Sequence, residues 1–182
     1  VSLAEAKQHL RVDITDDDAL ITALITAARE YCEGFQNRAY ITQVWQLWLD
    51  SWPDGSEIRI PKPPLQSVAS VKYYGADNTE YVLPITDYIV DNKSEPGRIV
   101  LAYEKTWPSV ILRPANAVCV EFVAGYVGAD KVPQRVKQAM YLIIGHLYEN
   151  REAVRVAMQR GETLPVPFGV DALLWQDRVV PV

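Results

Sequence analysis

The run 132-VPQRVKQAMYLIIGHLYENREAVRVA-157 decides how the remaining sequence is read. Pro133 stands at a helix start, where its missing N–H and fixed φ cost nothing. Val136, Met140, Ile143, Ile144 and Leu147 then recur at helical steps, so one face is apolar, and Ala139, Leu142 and Tyr148 widen it. Glu149, Asn150, Arg151 and Glu152 arrive together, followed by Arg155 and Arg160. The first half is therefore expected in a core, and the second as an extension into solvent or onto a partner. Gly161 and Pro165 end it.

Upstream of this helix the period changes from helical to alternating. Val118–Ala124 reads as a strongly apolar strand that leads through Gly125–Lys131 into the helix. Ile41, Trp45, Leu47 and Leu49 alternate with Thr42, Gln46 and Asp50, although Val44 and Trp48 share the second face. Trp52-Pro53-Asp54-Gly55 is a turn signal before a short strand at Glu57–Ile60. Pro61-Lys62-Pro63-Pro64 cannot sit in a central strand and reads as an extended corner. Further strands are expected at Gln66–Tyr74, Thr79–Leu83, Asp87–Val90 and Arg98–Tyr103.

The N-terminus is helical in pattern. Ser2-Leu3-Ala4-Glu5 is a capping box, and a short helix to about Arg11 is expected to bury Leu3, Ala6 and Leu10. Thr15 to Asp18 repeats that logic, with Asp16, Asp17 and Asp18 at the positive end of a helix dipole. The helix that follows carries Leu20, Ile21, Leu24, Ile25, Ala28, Cys32 and Phe35 on its apolar face and ends near Gln36-Asn37. Helices, then strands, then helices indicate α+β. The fold expected is an N-terminal helical hairpin, a middle region of short antiparallel strands and a long helix towards the C-terminus. After Gly161, Leu164–Phe168 reads as extended and Val170–Trp175 as one helical turn. This tail is too apolar to be free, and its own domain and another subunit are equally good docking places.

The composition bounds the rest. A chain of 182 residues suits one domain with appendages, and 49% hydrophobic with 23% charged residues supports a real core. No apolar run approaches the roughly 18 residues of a membrane span. Val1–Leu10 lacks the pattern of a signal peptide, and the absence of Met at position 1 suggests removal or trimming. Cys32 and Cys119 are expected as buried thiols, which fits synthesis in a reducing cytoplasm. The net charge of −5 argues against a general nucleic-acid binder but not against a wall that DNA slides past.

Signals for chemistry are few. His9 and His146 fall in no metal-binding spacing, and no cysteine pair has one. There is no G-x-S-x-G elbow and no glycine-rich phosphate loop. Asp16-Asp17-Asp18 leads straight into an apolar helix, so capping accounts for it better than Ca²⁺ or Mg²⁺. Trp45, Trp48, Trp52, Tyr73 and Tyr74 suit either packing across a sheet or a stacking platform for sugars or bases, with packing favoured. No catalytic residue, cofactor or metal is assigned.

Five stretches together resemble the head–tail connector (adaptor, or head-completion) proteins of tailed bacteriophages. They are Leu3–Gln43, Ile60–Asn78, Glu121–Tyr126 (EFVAGY), Val132–Val154 and Leu164–Trp175, in the family's order and spanning nearly the whole chain. The resemblance implies a structural role in the virion. It implies a ring, a dodecamer in the particle, between the portal and a stopper or tail protein, assembled in the host cytoplasm, through which DNA passes without sequence-specific binding and without any membrane. On this reading residues 1–40 and 128–160 make the bundle, 41–127 the β-rich region and 161–182 a docking tail. Arg151, Arg155, Leu164, Phe168, Leu173, Leu174 and Trp175 are the candidate partner or subunit contacts. The alternatives are a stopper or tail-completion protein of the same particle, and a carbohydrate- or receptor-binding module using the strand aromatics.

Overall fold

The computed structural model describes residues 1–150 and 168–180. The chain divides into a unit made of Val1–Asn37 with Ala129–Val182, and a second unit, Arg38–Gly128.

The first unit is helical: α1 (Leu3–Leu10), α2 (Asp18–Gln36), α3 (Gln134–Glu149) and α4 (Phe168–Trp175). The capping box of α1 forms, with Ser2 N donating to the Glu5 carboxylate at 2.7 Å and Glu5 N donating to the Ser2 hydroxyl at 3.3 Å. Of the residues expected to be buried on α1, Ala6 is, while Leu3 and Leu10 are half-buried. The second cap differs from expectation. Asp18 N donates to Thr15 O at 3.1 Å in a turn, and Asp17 is the N-cap, with no side-chain cap hydrogen bond. These carboxylates join helices instead: Lys7 Nζ donates to Asp18 at 2.6 Å and the Tyr148 hydroxyl to Asp17 at 2.5 Å. Tertiary partners outcompete the local cap.

α2 buries Ile21, Ala28, Cys32 and Gln36, with Leu20, Leu24, Ile25 and Phe35 half-buried beside them. α3 buries Val136, Ala139, Met140, Ile143 and Ile144. Leu142 and Leu147, expected on that face, stand exposed at its margin. α3 ends at Glu149, with Asn150 as C-cap, so the expected continuation through Arg151–Arg160 and its stop at Gly161 and Pro165 lie outside the described residues. The expected single turn near the C-terminus is an eight-residue helix, α4, and it docks on its own unit. Val170 and Leu174 are fully buried. The Gln36 side chain donates to Leu174 O at 2.6 Å, Val179 N donates to Gln36 O at 2.9 Å, and Asn37 donates to Val179 O at 3.0 Å. Arg135 pairs with Asp177.

The second unit holds two antiparallel sheets. Its strands are β1 (Gln43–Leu49), β2 (Glu57–Arg59), β3 (Leu65–Tyr74), β4 (Glu80–Val82), β5 (Tyr88–Asp91), β6 (Arg98–Leu101) and β7 (Val118–Ala124). One sheet has the order β1-β7-β3-β4 and the other β2-β6-β5. Alternation begins at Gln43, not at Ile41, which is exposed. Trp45, Leu47 and Leu49 lie opposite Phe122, Val120 and Val118 on the inner face of the first sheet. Val118, Val120 and Phe122 join Ile58, Ile60, Leu65, Val71 and Ile99 in one hydrophobic core. Val118–Ala124 is apolar at every position but Glu121, and β7 lies between β1 and β3 inside its sheet. The proline-rich corner between β2 and β3 supplies acceptors: Ala39 N donates to Pro63 O at 3.1 Å and Gly125 N to Pro64 O at 2.9 Å.

Candidate interaction sites

Both histidines have close side-chain neighbours. His9 stacks on Tyr141 with ring centroids 5.1 Å apart, and His146 lies beside Asn150 on the last turn of α3. Among the described residues no group of three or more His, Cys, Asp or Glu is placed to hold a metal. Burial pushes the Cys32 thiol up to about 12 and raises that of Cys119 as well, so neither supplies a thiolate near neutral pH. Neither is in a disulfide.

The strand aromatics divide between the two faces of the first sheet. On the inner side Trp52 stacks on Trp107 at 4.7 Å and 7°, and leans on Tyr73 at 5.5 Å. Tyr73 in turn stacks on Tyr81 at 5.1 Å. Trp107 Nε1 donates to Gly55 O at 2.7 Å, and Trp52, Tyr73 and Trp107 pack against the core. Packing is what these rings do.

Trp48 and Tyr74 lie on the other face. The register places Trp48 opposite Cys119, which is opposite Lys72. The two rings stack at 6.1 Å, and the Arg113 guanidinium sits 4.0 Å over Tyr74 and 6.0 Å from Trp48. Arg113 is held by the carbonyls of Ala115 and Asn116, and Asn116 N donates to Asp50 at 2.8 Å. Lys72 pairs with Glu80 at 3.0 Å, and the Tyr74 hydroxyl donates to Glu80 at 2.7 Å. These contacts hold the Glu80 carboxyl below its usual range, the Tyr74 hydrogen bond most of all. A shallow depression of about 220 Å³ is lined by Trp48, Arg113 and Asn116. Trp45 sits apart from it, with Lys62 Nζ 5.9 Å from its ring. The five aromatics therefore do not form one platform.

Among the described residues of the helical unit, the end of α4 carries an exposed aromatic patch. Trp175 points out, edge-on to Phe35 at 6.5 Å, and the Arg178 guanidinium lies 5.1 Å from Phe35 and 5.2 Å from Trp175. Tyr31 extends the patch by stacking on Phe35 at 6.4 Å. Of the candidate contacts, Leu174 is buried in its own unit, Leu173 is half-buried and Trp175 is exposed. Phe168 opens α4, and Arg151, Arg155 and Leu164 lie outside the described residues. Sequence reasoning missed Arg113, Arg178 and Tyr31. Arg178 was within reach, three residues beyond Trp175 in the sequence. Arg113 reaches Tyr74 and Trp48 only through the pairing of distant strands, so no local spacing marks it.

Comparison with known proteins adds the following. The sequence model of the family described as phage gp6-like head-tail connector protein matches residues 1–80. No curated protein matches the chain. Among solved structures, the chain is similar to a protein in the neck of an empty gene transfer agent (GTA) particle computed with C6 symmetry. That match has 24% identity and a TM-score of 0.78, covering 100% of this chain and 91% of that one. A protein in the neck of a native GTA particle, computed with C12 symmetry, matches at 24% identity and TM-score 0.77, over 99% of this chain and 89% of that one. A protein of the native GTA virion matches at 24% identity and TM-score 0.78, over 100% and 91%.

Proposed function

We infer that this chain, whose residues 1–80 match the sequence model of phage gp6-like head-tail connector proteins, is a structural and non-catalytic component of a tailed-particle neck, set between portal and tail. The family match is the observation that carries this reading. The fold shared with GTA neck proteins along the whole chain supports it, because the β-rich unit beyond residue 80 is then part of the same fold and not a foreign addition.

In finer detail, the chain forms a homo-oligomeric ring in the virion, with the portal on one side and a stopper or tail protein on the other. The C12 symmetry used for the native GTA neck supports twelve copies. DNA passes through the ring without base-specific contact, and a net charge of −5 suits a wall that repels phosphate. The exposed end of α4, with Trp175, Leu173 and the cation-capped Phe35, is a contact for a portal or a neighbouring copy, as are Arg151, Arg155, Leu164 and Phe168.

Deleting the gene in the producing cell tests the reading. Full heads that lack tails are expected, with tails restored by supplying the chain in trans. Normal yields of tailed, DNA-filled particles without the chain would refute it.

A further inference from the structure

The β1 edge of the first sheet is built unlike the edge formed by β2. A free strand edge is a pairing hazard that proteins guard with charge, proline, bulges or brevity. β2 is short and charged, with Glu57 bridged to Arg59 at 3.1 Å and to Arg98 at 2.8 Å. β1 has none of these guards. Its seven residues, QVWQLWL, contain no charge and no proline, and its register with β7 runs unbroken from Gln43 to Leu49. No strand of the described residues lies on its outer side. On one face it exposes Val44 (67%) and Trp48 (39%), and on the other Trp45 (38%).

The opposite edge, β4, is short like β2 and carries Glu80 paired to Lys72, but its other two residues answer β1. Val82 is in register with Lys72 and so shares the face of Trp48, while Tyr81 is in register with Tyr73 and shares the face of Trp45. Val82 (58%) and Tyr81 (38%) are exposed as well. Each face thus carries apolar side chains at both edges. Direction matches too: β1 and β7, β7 and β3, and β3 and β4 are each antiparallel, so β4 of one copy laid beside β1 of another is antiparallel. This is a head-to-tail, two-surface contact, the kind that closes into a ring.

We propose that the β1 edge of one copy pairs with the β4 edge of a second copy, continuing the sheet across the subunit seam. Backbone hydrogen bonds then supply affinity, and the Val44–Val82 and Trp45–Tyr81 contacts fix the register. The proposal rests on the ring-forming connector reading and says which surface makes the ring.

Crosslinking in assembled particles tests it. Particles carrying Val44→Cys, Val82→Cys, or both in one chain are treated with a short bis-maleimide and resolved on denaturing gels. The buried Cys32 and Cys119 keep the background low. A ladder of trimers and larger species is expected from the double variant only. Crosslinked dimers from Val44→Cys alone would reveal a symmetric β1–β1 contact and overturn the proposal, as would a double variant present in particles without a ladder. As a second arm, Val44→Lys is expected to keep the thermal stability of the purified chain and to lower its incorporation into particles at least tenfold. Incorporation at the level of the unaltered chain would overturn the seam. A chain absent from particles in every form, unaltered included, would remove the connector reading itself.

Discussion

Gly125 shows what a single residue contributes. It follows β7 with φ at +110°, and a Cβ there would lie 2.0 Å from the Ile41 carbonyl oxygen. Its N–H donates to Pro64 O and its carbonyl accepts from Gln66 at 2.6 Å, so the backbone is held from several directions. Gly125→Ala combines a disfavoured conformation with a backbone clash and is expected to cost on the order of 2–4 kcal/mol. Urea unfolding of the purified variant measures this, and an unchanged midpoint would contradict it. EFVAGY was recognisable in the sequence as a motif, but the reason for its glycine was not. That reason is a carbonyl brought close by the pairing of β1 with β7. At Ser2 the situation is the reverse, since both partners of the cap lie within four residues. The box was therefore legible from spacing alone.

Among the elements, α4 and the β5–β6 hairpin carry separate expectations. α4 is anchored by Val170 and Leu174, and the buried Gln36 amide donates to the Leu174 carbonyl. Leu174→Ala removes a fully enclosed side chain and is expected to cost about 2–4 kcal/mol, seen as a lower melting temperature in calorimetry. Trp175→Ala, at an exposed position, is expected to change the melting temperature little. A larger effect from Trp175→Ala than from Leu174→Ala would reverse the assigned roles. In the hairpin, Asp91 accepts hydrogen bonds from Ser94, Arg98 and Lys93, which hold its carboxyl well below the usual range. Contacts with Arg59 and Arg98 likewise lower Glu57. Depressed carboxylates contribute stability that is complete above their unfolded pKa of about 4 and is lost as pH falls through the folded value. Asp91→Asn is therefore expected to lower the melting temperature at neutral pH and to flatten its decline below about pH 4. An acid limb as steep as that of the unaltered chain would count against it.

The element types were readable because helical and alternating periods are local properties, and most boundaries fell within a residue or two. Readings taken from the local pattern alone failed at several residues. Asp17 and Asp18 bind Tyr148 and Lys7 instead of completing a cap, and Ile41 lies outside the strand its alternation suggested. Strand order was not legible. β1 pairs with β7 from the far end of the unit, and nothing in QVWQLWL names that partner.

For the whole molecule, the account requires subunits that meet neighbours through two different surfaces and meet the portal through a third. Several large apolar side chains remain exposed, Trp175, Val44 and Val82 among them. A ring whose seams are strand edges and apolar contacts is expected to withstand salt, because neither interaction is screened as surface ion pairs are. Rings isolated from particles should keep their mass between low salt and about 1 M NaCl, where the Debye length falls to about 3 Å. Dissociation on raising salt would assign the seam to charge instead. Of the candidate contacts, the apolar closing segment was visible in composition, whereas the division between buried Leu174 and exposed Trp175 depends on how α4 lies on its own unit.

The central claim is that this chain docks on a portal. Native mass spectrometry of the chain mixed with the portal protein of its own genome, beside each protein alone, tests this most directly. A stable complex with one copy of the chain per portal subunit is expected. Two folded proteins that form no complex across a range of salt concentrations would contradict it.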